Sequence, residues 1–261
     1  MHENEAKKQI EVGDGAAIPT KKDLGLFTAW RIAFFGAIAV LGWLTYAKPD
    51  PYLTILKFVP DGIVVTFKVT VGAILLALVI GLIAGLGRVA NNRLANGLAS
   101  LYVEVIRGIP LLVQIFYIYY ALGRFVKVPD MLSAIIAMAV CYGAYMGEVF
   151  RAGIQSIPKG QMEAALTLGM TRSQAMRHVV VPQAFKVVLP PVGNEFIALL
   201  KDSSLVSILA VADLLRRGRE FASESFTYFE TYTVIALIYL IITLFFSKLI
   251  GIMEERINAG R

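Results

Sequence analysis

Glu195 and Asp202 stand seven residues apart in a largely apolar stretch, with Lys201 beside the second of them. Seven residues is close to two helical turns, so both carboxylates fall on one face, with Ala198 and Leu199 between them. Ionisable groups at bilayer depth are expensive and normally face a bundle interior or a water-filled path. Two carboxylates on such a face suit the binding of a cationic amino or side-chain group. Asn194 flanks the face, and Ser203 and Ser204 follow it as neutral hydrogen-bonding groups. Small Ala198 leaves room beside the acids. The competing reading is an ion-pair network of Glu195, Lys201 and Asp202 that only fixes helix packing. Lys201 lies about 100° from Asp202 around a helix and is given no role.

A second set, Glu104, Arg107, Glu148 and Arg151, falls at the ends of neighbouring apolar runs. Such charges serve as interfacial anchors, or as a gate network that breaks when halves of a transporter rotate. The run Phe116-Tyr117-Ile118-Tyr119-Tyr120 reads as an interfacial aromatic belt. His2 and His178 make no metal-ligand pattern, so no metal site is expected. Cys141, the only cysteine, lies in an apolar run and reads as a small buried hydrophobe.

The elements that must position these groups are set by composition. Of 261 residues, 57% are hydrophobic and 17% charged, against roughly 45–50% and about 25% in soluble proteins. A spanning helix needs about 20 mainly apolar residues. That places six spans near 26–47, 62–87, 101–122, 131–150, 191–213 and 229–251. The third reaches spanning length only if residues 102–107 continue its helix. The fifth has the least certain ends, because Pro182, Pro190 and Pro191 interrupt the approach to it. Residues 1–25 read as a cytoplasmic tail. Lys and Arg in the short loops favour the side shared by both termini, so that side is cytoplasmic. Arg216, Arg217 and Arg219 fall on the other side, against the rule and without explanation. The net charge of +6 fits basic loops facing anionic lipid, and no nucleic-acid partner is expected. No G-x-x-x-x-G-K-[ST] phosphate loop occurs, so the chain is not expected to hydrolyse nucleotide.

The longest polar insertion, 151–190, reads as helix, turn, helix. Ser156 is the expected N-cap with Pro158 in the first turn, and Met162, Leu166 and Met170 make an apolar stripe. Gly169 takes a left-handed C-terminal position, and Thr171 with Gln174 forms a capping box. An interfacial anchor and a DNA-reading helix-turn-helix are rival readings; spans on both sides tether the loop to the bilayer and disfavour the second.

Within this loop, Glu163-Ala164-Ala165, then Gly169, then Val179-Val180-Val181-Pro182 resemble the cytoplasmic signature of permease subunits in bacterial binding-protein-dependent ABC importers. Every fixed spacing is met, with Val in place of the usual Ile and Leu near the end. The segment from Glu104-Val105-Ile106-Arg107-Gly108-Ile109-Pro110 to Gln114 is similar to a signature of the polar amino-acid branch. So are Tyr145-Met146-Gly147-Glu148, Pro182-Gln183-Ala184, Pro190-Pro191-Val192-Gly193-Asn194-Glu195-Phe196 and Lys201-Asp202-Ser203-Ser204-Leu205.

The resemblance implies an all-α polytopic membrane protein with a five-helix permease core at 62–256; the apolar span read before it is then one extra N-terminal transmembrane helix, a departure from that core. That helix with its outer loop covers 26–61, and 257–261 is a short cytoplasmic tail. The loop becomes a coupling helix, with Gly160, Glu163, Ala164, Ala165 and Gly169 seated in a cleft of an ATPase. Implied partners are two ATP-binding cassette subunits, a second permease subunit (same or related), an extracytoplasmic binding protein and a polar or cationic amino acid. The chain itself would be no enzyme and hold no cofactor, since ATP and Mg bind the partner ATPase. Its location would be the bacterial inner membrane. An ion-gradient-driven secondary transporter or channel is the alternative, but has no reason to build the 160–182 loop.

Overall fold

The computed structural model describes residues 28–259, so the tail expected at 1–25 and the last two residues of the chain lie outside it. Every regular element among the described residues is helical. The centre is the crossing of α3 (Pro60–Val89) and α6 (Asp130–Gln155). Gly81 and Gly85 on α3 meet the backbone of Gly147 on α6, and Gly143 meets Ile80, the glycines of each helix standing at G-x-x-x-G spacing. A Cβ on Gly81 would lie 2.3 Å from the Cβ of Met146, and one on Gly143 would lie 2.6 Å from Ile80. In lipid, helices associate by close packing rather than by hydrophobic exclusion, and small residues permit that approach. Around this crossing, Val69, Ala73, Met138, Tyr142, Met146 and Leu199 form the main core.

α1 (Ala29–Ala47) packs against α2 (Pro49–Phe58) and α11 (Tyr228–Ala259). Thr28 caps its first turn, and the Trp30 indole N–H donates to the Leu244 carbonyl at 2.8 Å. The extra helix is thus a lateral addition beside α11.

The stretch expected to cross as one helix at 101–122 is instead two, α4 (Arg93–Gly108) and α5 (Leu111–Phe125), bent by 111°. Pro110 is the cause: it lacks an N–H and forces Ile109 into extended backbone, at φ −107° and ψ 137°. Buried Gln114 secures the break, its Nε2 donating to the carbonyls of Ile106 at 2.5 Å and Ile109 at 2.6 Å. Carbonyls orphaned by the proline are thereby satisfied away from water.

The fifth stretch also differs from expectation. Instead of 191–213, the helix is α9 (Val181–Asp202), with Pro190 and Pro191 inside it. Membrane helices tolerate such prolines where neighbours re-satisfy the freed carbonyls. The approach is helical as well: α8 (Arg172–Ala175) runs through a π-helical segment, Met176–Val180, directly into α9. After Asp202 the chain tightens into a 3₁₀ segment, Ser203–Ile208, and then turns into α10 (Leu214–Ser225). Among the described residues, four helices (α1, α3, α6 and α11) are long and apolar enough to cross a membrane, and the bent α4–α5 pair makes a fifth if it is one span. α9 has 22 residues but carries Lys186, Glu195, Lys201 and Asp202.

The arginines that break the loop-charge rule are engaged at the α10 end. Arg216 pairs with Glu220 at 2.9 Å and donates to the Leu209 carbonyl at 2.7 Å. Arg217 pairs with Asp61 at the start of α3 and with Glu220, and Arg219 donates to the Ser207 carbonyl at 2.9 Å. Together they bind the Ser207 and Leu209 carbonyls, around the end of the 3₁₀ segment, and fasten α10 to α3. Gly62 lets α10 approach, since a Cβ there would fall 2.9 Å from the Asp213 carbonyl oxygen. The cluster is a clamp.

Candidate functional site

Three helices bring polar side chains against the main core. From α6, Tyr142 donates its hydroxyl to Oδ2 of Asp202 at 2.7 Å, and the Tyr142 and Tyr145 rings lie 5.7 Å apart. From α4, the Arg107 guanidinium sits 5.5 Å from the centre of the Tyr145 ring and is close enough to Glu195 for the charges to interact. From α9 come Glu195 and Asp202, both half-buried and within electrostatic reach of each other. The group therefore offers carboxylates, a guanidinium and aromatic faces together. That set suits a zwitterion, with ammonium against the acids and carboxylate toward the arginine.

Among the described residues no ion pair joins Glu195, Lys201 and Asp202; Lys201 is exposed and Asp202 is held by Tyr142. Asn194 is exposed on α9 and Ser204 half-buried just beyond it. Ser203 is fully buried, with its hydroxyl donating to the Leu200 carbonyl at 2.8 Å. Sequence reasoning missed Tyr142 and Tyr145. Their three-residue spacing on an Ala- and Gly-rich helix was the available signal.

The charges at the other helix ends separate into two groups. Glu148 forms salt bridges with Arg151 on its own helix and with Arg88 of α3, and Arg151 also reaches Gln155. Arg88, overlooked in the sequence, is what makes this a link between helices. Asn96 Nδ2 adds a hydrogen bond to the Arg88 carbonyl at 2.5 Å, bringing in α4. Arg107 belongs instead with Tyr145, and Glu104 is exposed on α4.

The polar insertion is shorter than 151–190, because α6 runs to Gln155 and α8 begins at Arg172. Ser156 does not cap the next helix; it ends α6, its Oγ donating to the Gly153 carbonyl at 2.8 Å. Pro158 is the N-cap of α7 (Lys159–Thr167). Gly169 is left-handed at φ +85°, and the backbone N–H groups of Gly169 and Met170 return to the carbonyls of Leu166 and Ala165 at 3.0 and 3.1 Å. This closes α7 in a hydrogen-bonded C-terminal turn that favours glycine. The Thr171–Gln174 capping box then starts α8 at once. Ala165 is the buried anchor of α7, while Gly160, Glu163 and Ala164 are exposed. The result is a projecting helix fixed at both ends, with no contact near Gly160 for a side chain to meet.

Fold and site together define an all-helical, multi-pass membrane protein with a polar group beside its core and a rigid helical projection at one end. A family model described as "Binding-protein-dependent transport system inner membrane component" matches residues 77–259, and the chain belongs to that family. It is 37% identical over 201 residues to the glutamine transport system permease protein of Escherichia coli (strain K12), covering 76% of this chain and 92% of that one. It is 39% identical over 199 residues to the L-cystine transport system permease protein of Bacillus subtilis (strain 168), covering 76% and 85%. Among solved structures, a chain of an amino acid ABC transporter with histidines superposes with TM-score 0.74 at 43% identity, covering 78% of this chain and 97% of that one. An inward-facing methionine ABC transporter shares the fold at TM-score 0.64 and 19% identity, covering 77% and 98%.

Proposed function

We propose that this chain forms, with a second permease subunit of the same or related sequence, the pathway of an ATP-driven amino-acid importer. The glutamine and cystine permeases among its relatives support an amino acid as substrate. Six crossings, by α1, α3, the broken α4–α5 pair, α6, α9 and α11, put both termini and α7 in the cytoplasm. An extracytoplasmic binding protein delivers the substrate to the α10 end. Glu195 and Asp202 receive its cationic group, with Asn194 and Ser204 beside them, and Arg107 receives its carboxylate. The ties of Glu148 to Arg88 and Arg151 open and close as the subunits rotate, which is alternating access.

The observation that carries this reading is α7. An exposed helix joined by the left-handed Gly169 turn to α8, which runs on without a break into the helix bearing the site acids, is a lever. Movement of α7 moves α9. Two separate ATPase subunits bind ATP and Mg and grip α7 through Gly160, Glu163, Ala164, Ala165 and Gly169. Purification from native membranes tests the reading. A nucleotide-binding subunit should accompany the wild-type chain and be lost with Glu163→Lys or Gly169→Asp. Wild-type chain recovered from active membranes with no such subunit would contradict it.

A further inference from the structure

A groove of about 460 Å³ lies between α9 and α11, and none of the polar group's residues lines it. Its α11 wall is Leu249, Ile252, Met253, Arg256 and Ile257, one helical stripe at i, i+3, i+4, i+7 and i+8. Lys186 and Leu189, one turn apart on α9, form the facing wall. Deeper along the same antiparallel pair the helices touch, where a Cβ on Gly193 would fall 2.8 Å from Ile250. The groove therefore opens toward the α7 end. At 1.5 Å per residue, Arg256 lies about 10 Å nearer that end than Leu249. Cations stand at the mouth and aliphatic side chains run inward. No carboxylate lines it.

We infer that this groove holds an anionic phospholipid of the cytoplasmic leaflet. Lys186 and Arg256 take the phosphate, and Leu189, Leu249 and Ile252 take the upper acyl chain. The charge pattern selects this occupant, since cations flanking an apolar cleft at the cytoplasmic interface complement an anionic headgroup above its chains. A second copy whose two-fold axis ran through the groove would set cations against cations with no lining acid to offset them. The inference rests on the topology proposed above, but not on the transport reading.

The full-length chain, reconstituted in phosphatidylcholine vesicles, is probed with spin-labelled phosphatidylglycerol or spin-labelled phosphatidylcholine. The motionally restricted fraction of each reads association. Phosphatidylglycerol should be preferred, with each cation contributing up to about fivefold. Lys186→Gln with Arg256→Gln should abolish the preference, while Lys186→Arg with Arg256→Lys should keep it and so exclude a folding defect. Equal association of the two lipids with wild type, or an unchanged preference in the double Gln variant, overturns the inference. So does copy-to-copy cross-linking through Met253→Cys in the bilayer, which would assign the groove to a second subunit. Because lipid association is read rather than uptake, either proposal can fail while the other stands.

Discussion

The Tyr142 hydroxyl and Oδ2 of Asp202, 2.7 Å apart, join the middle of α6 to the last residue of α9. Through this bond one of the two site acids is held in place by the helix that forms the centre of the bundle. A hydrogen bond to a charged group is worth about 1.5–3 kcal/mol. Tyr142→Phe should therefore lower the thermal midpoint of the purified protein and raise the KM of uptake. Asp202→Asn can still accept from Tyr142, so it should lower the midpoint less than Tyr142→Phe does while raising KM. An unaltered KM in Asp202→Asn would remove Asp202 from substrate binding.

The α3–α6 crossing makes a sharper stability prediction. Gly81→Ala places a methyl 2.3 Å from the Met146 Cβ and should destabilise by about 1–3 kcal/mol or more. Gly97→Ala on α4 meets nothing within 4 Å and should be neutral or gain up to about 1 kcal/mol of helix propensity. Thermal unfolding of both variants in one detergent compares them directly. Equal midpoints would mean that the crossing is looser than described.

Gln114 should be the residue that keeps the α4–α5 bend in place. Gln114→Leu leaves the carbonyls of Ile106 and Ile109 without their side-chain donor, a loss of about 1–3 kcal/mol each if water does not replace it. Gln114→Glu also lacks the donor and should be no better. Backbone amide exchange in the residues just after Pro110 should rise in both variants, and unchanged exchange would contradict the assignment.

At the α10 end, Asp213 predicts a pH dependence. It is fully buried, and burial pushes its carboxyl up to about 6, although the N–H groups of Arg216 and Leu215 pull the other way. The folded value thus exceeds the ordinary aspartate value of 3.8, so the folded state binds the proton more tightly between those two values. The stability that Asp213 contributes is fully present below about 4 and is lost as pH rises to about 6, by up to about 3 kcal/mol. Asp213→Asn keeps an N-cap acceptor without titrating. The wild-type midpoint should therefore decline relative to Asp213→Asn across that window, and parallel profiles would refute the account.

Much of this was legible in the residues, for reasons that differ by element. α3 and α11 are long apolar runs, and the Gly169 turn and the Thr171–Gln174 box are local chemistry that short spacing encodes. The α4–α5 break was written in Pro110, yet it was hidden because the flanking residues are apolar enough to read as one span. Pro190 and Pro191 misled in the opposite direction. α9 runs on through both prolines, so a proline pair does not by itself mark a helix end. The arginine clamp depends on Asp61, distant in sequence from Arg217, and only the tertiary fold could reveal it. Likewise Glu195 and Asp202 announced themselves as charges in an apolar stretch, whereas Tyr142, Tyr145 and Arg88 acquire meaning only beside their partners.

Uptake by proteoliposomes tests the central claim most directly. The complex purified from native membranes, supplied with its binding protein and a radiolabelled amino acid, should accumulate label only with ATP on the α7 side. Gly169→Asp should abolish accumulation, and collapsing ion gradients should leave it intact. Accumulation by the permease chain alone, driven by an ion gradient and indifferent to ATP and to Gly169→Asp, would contradict the account.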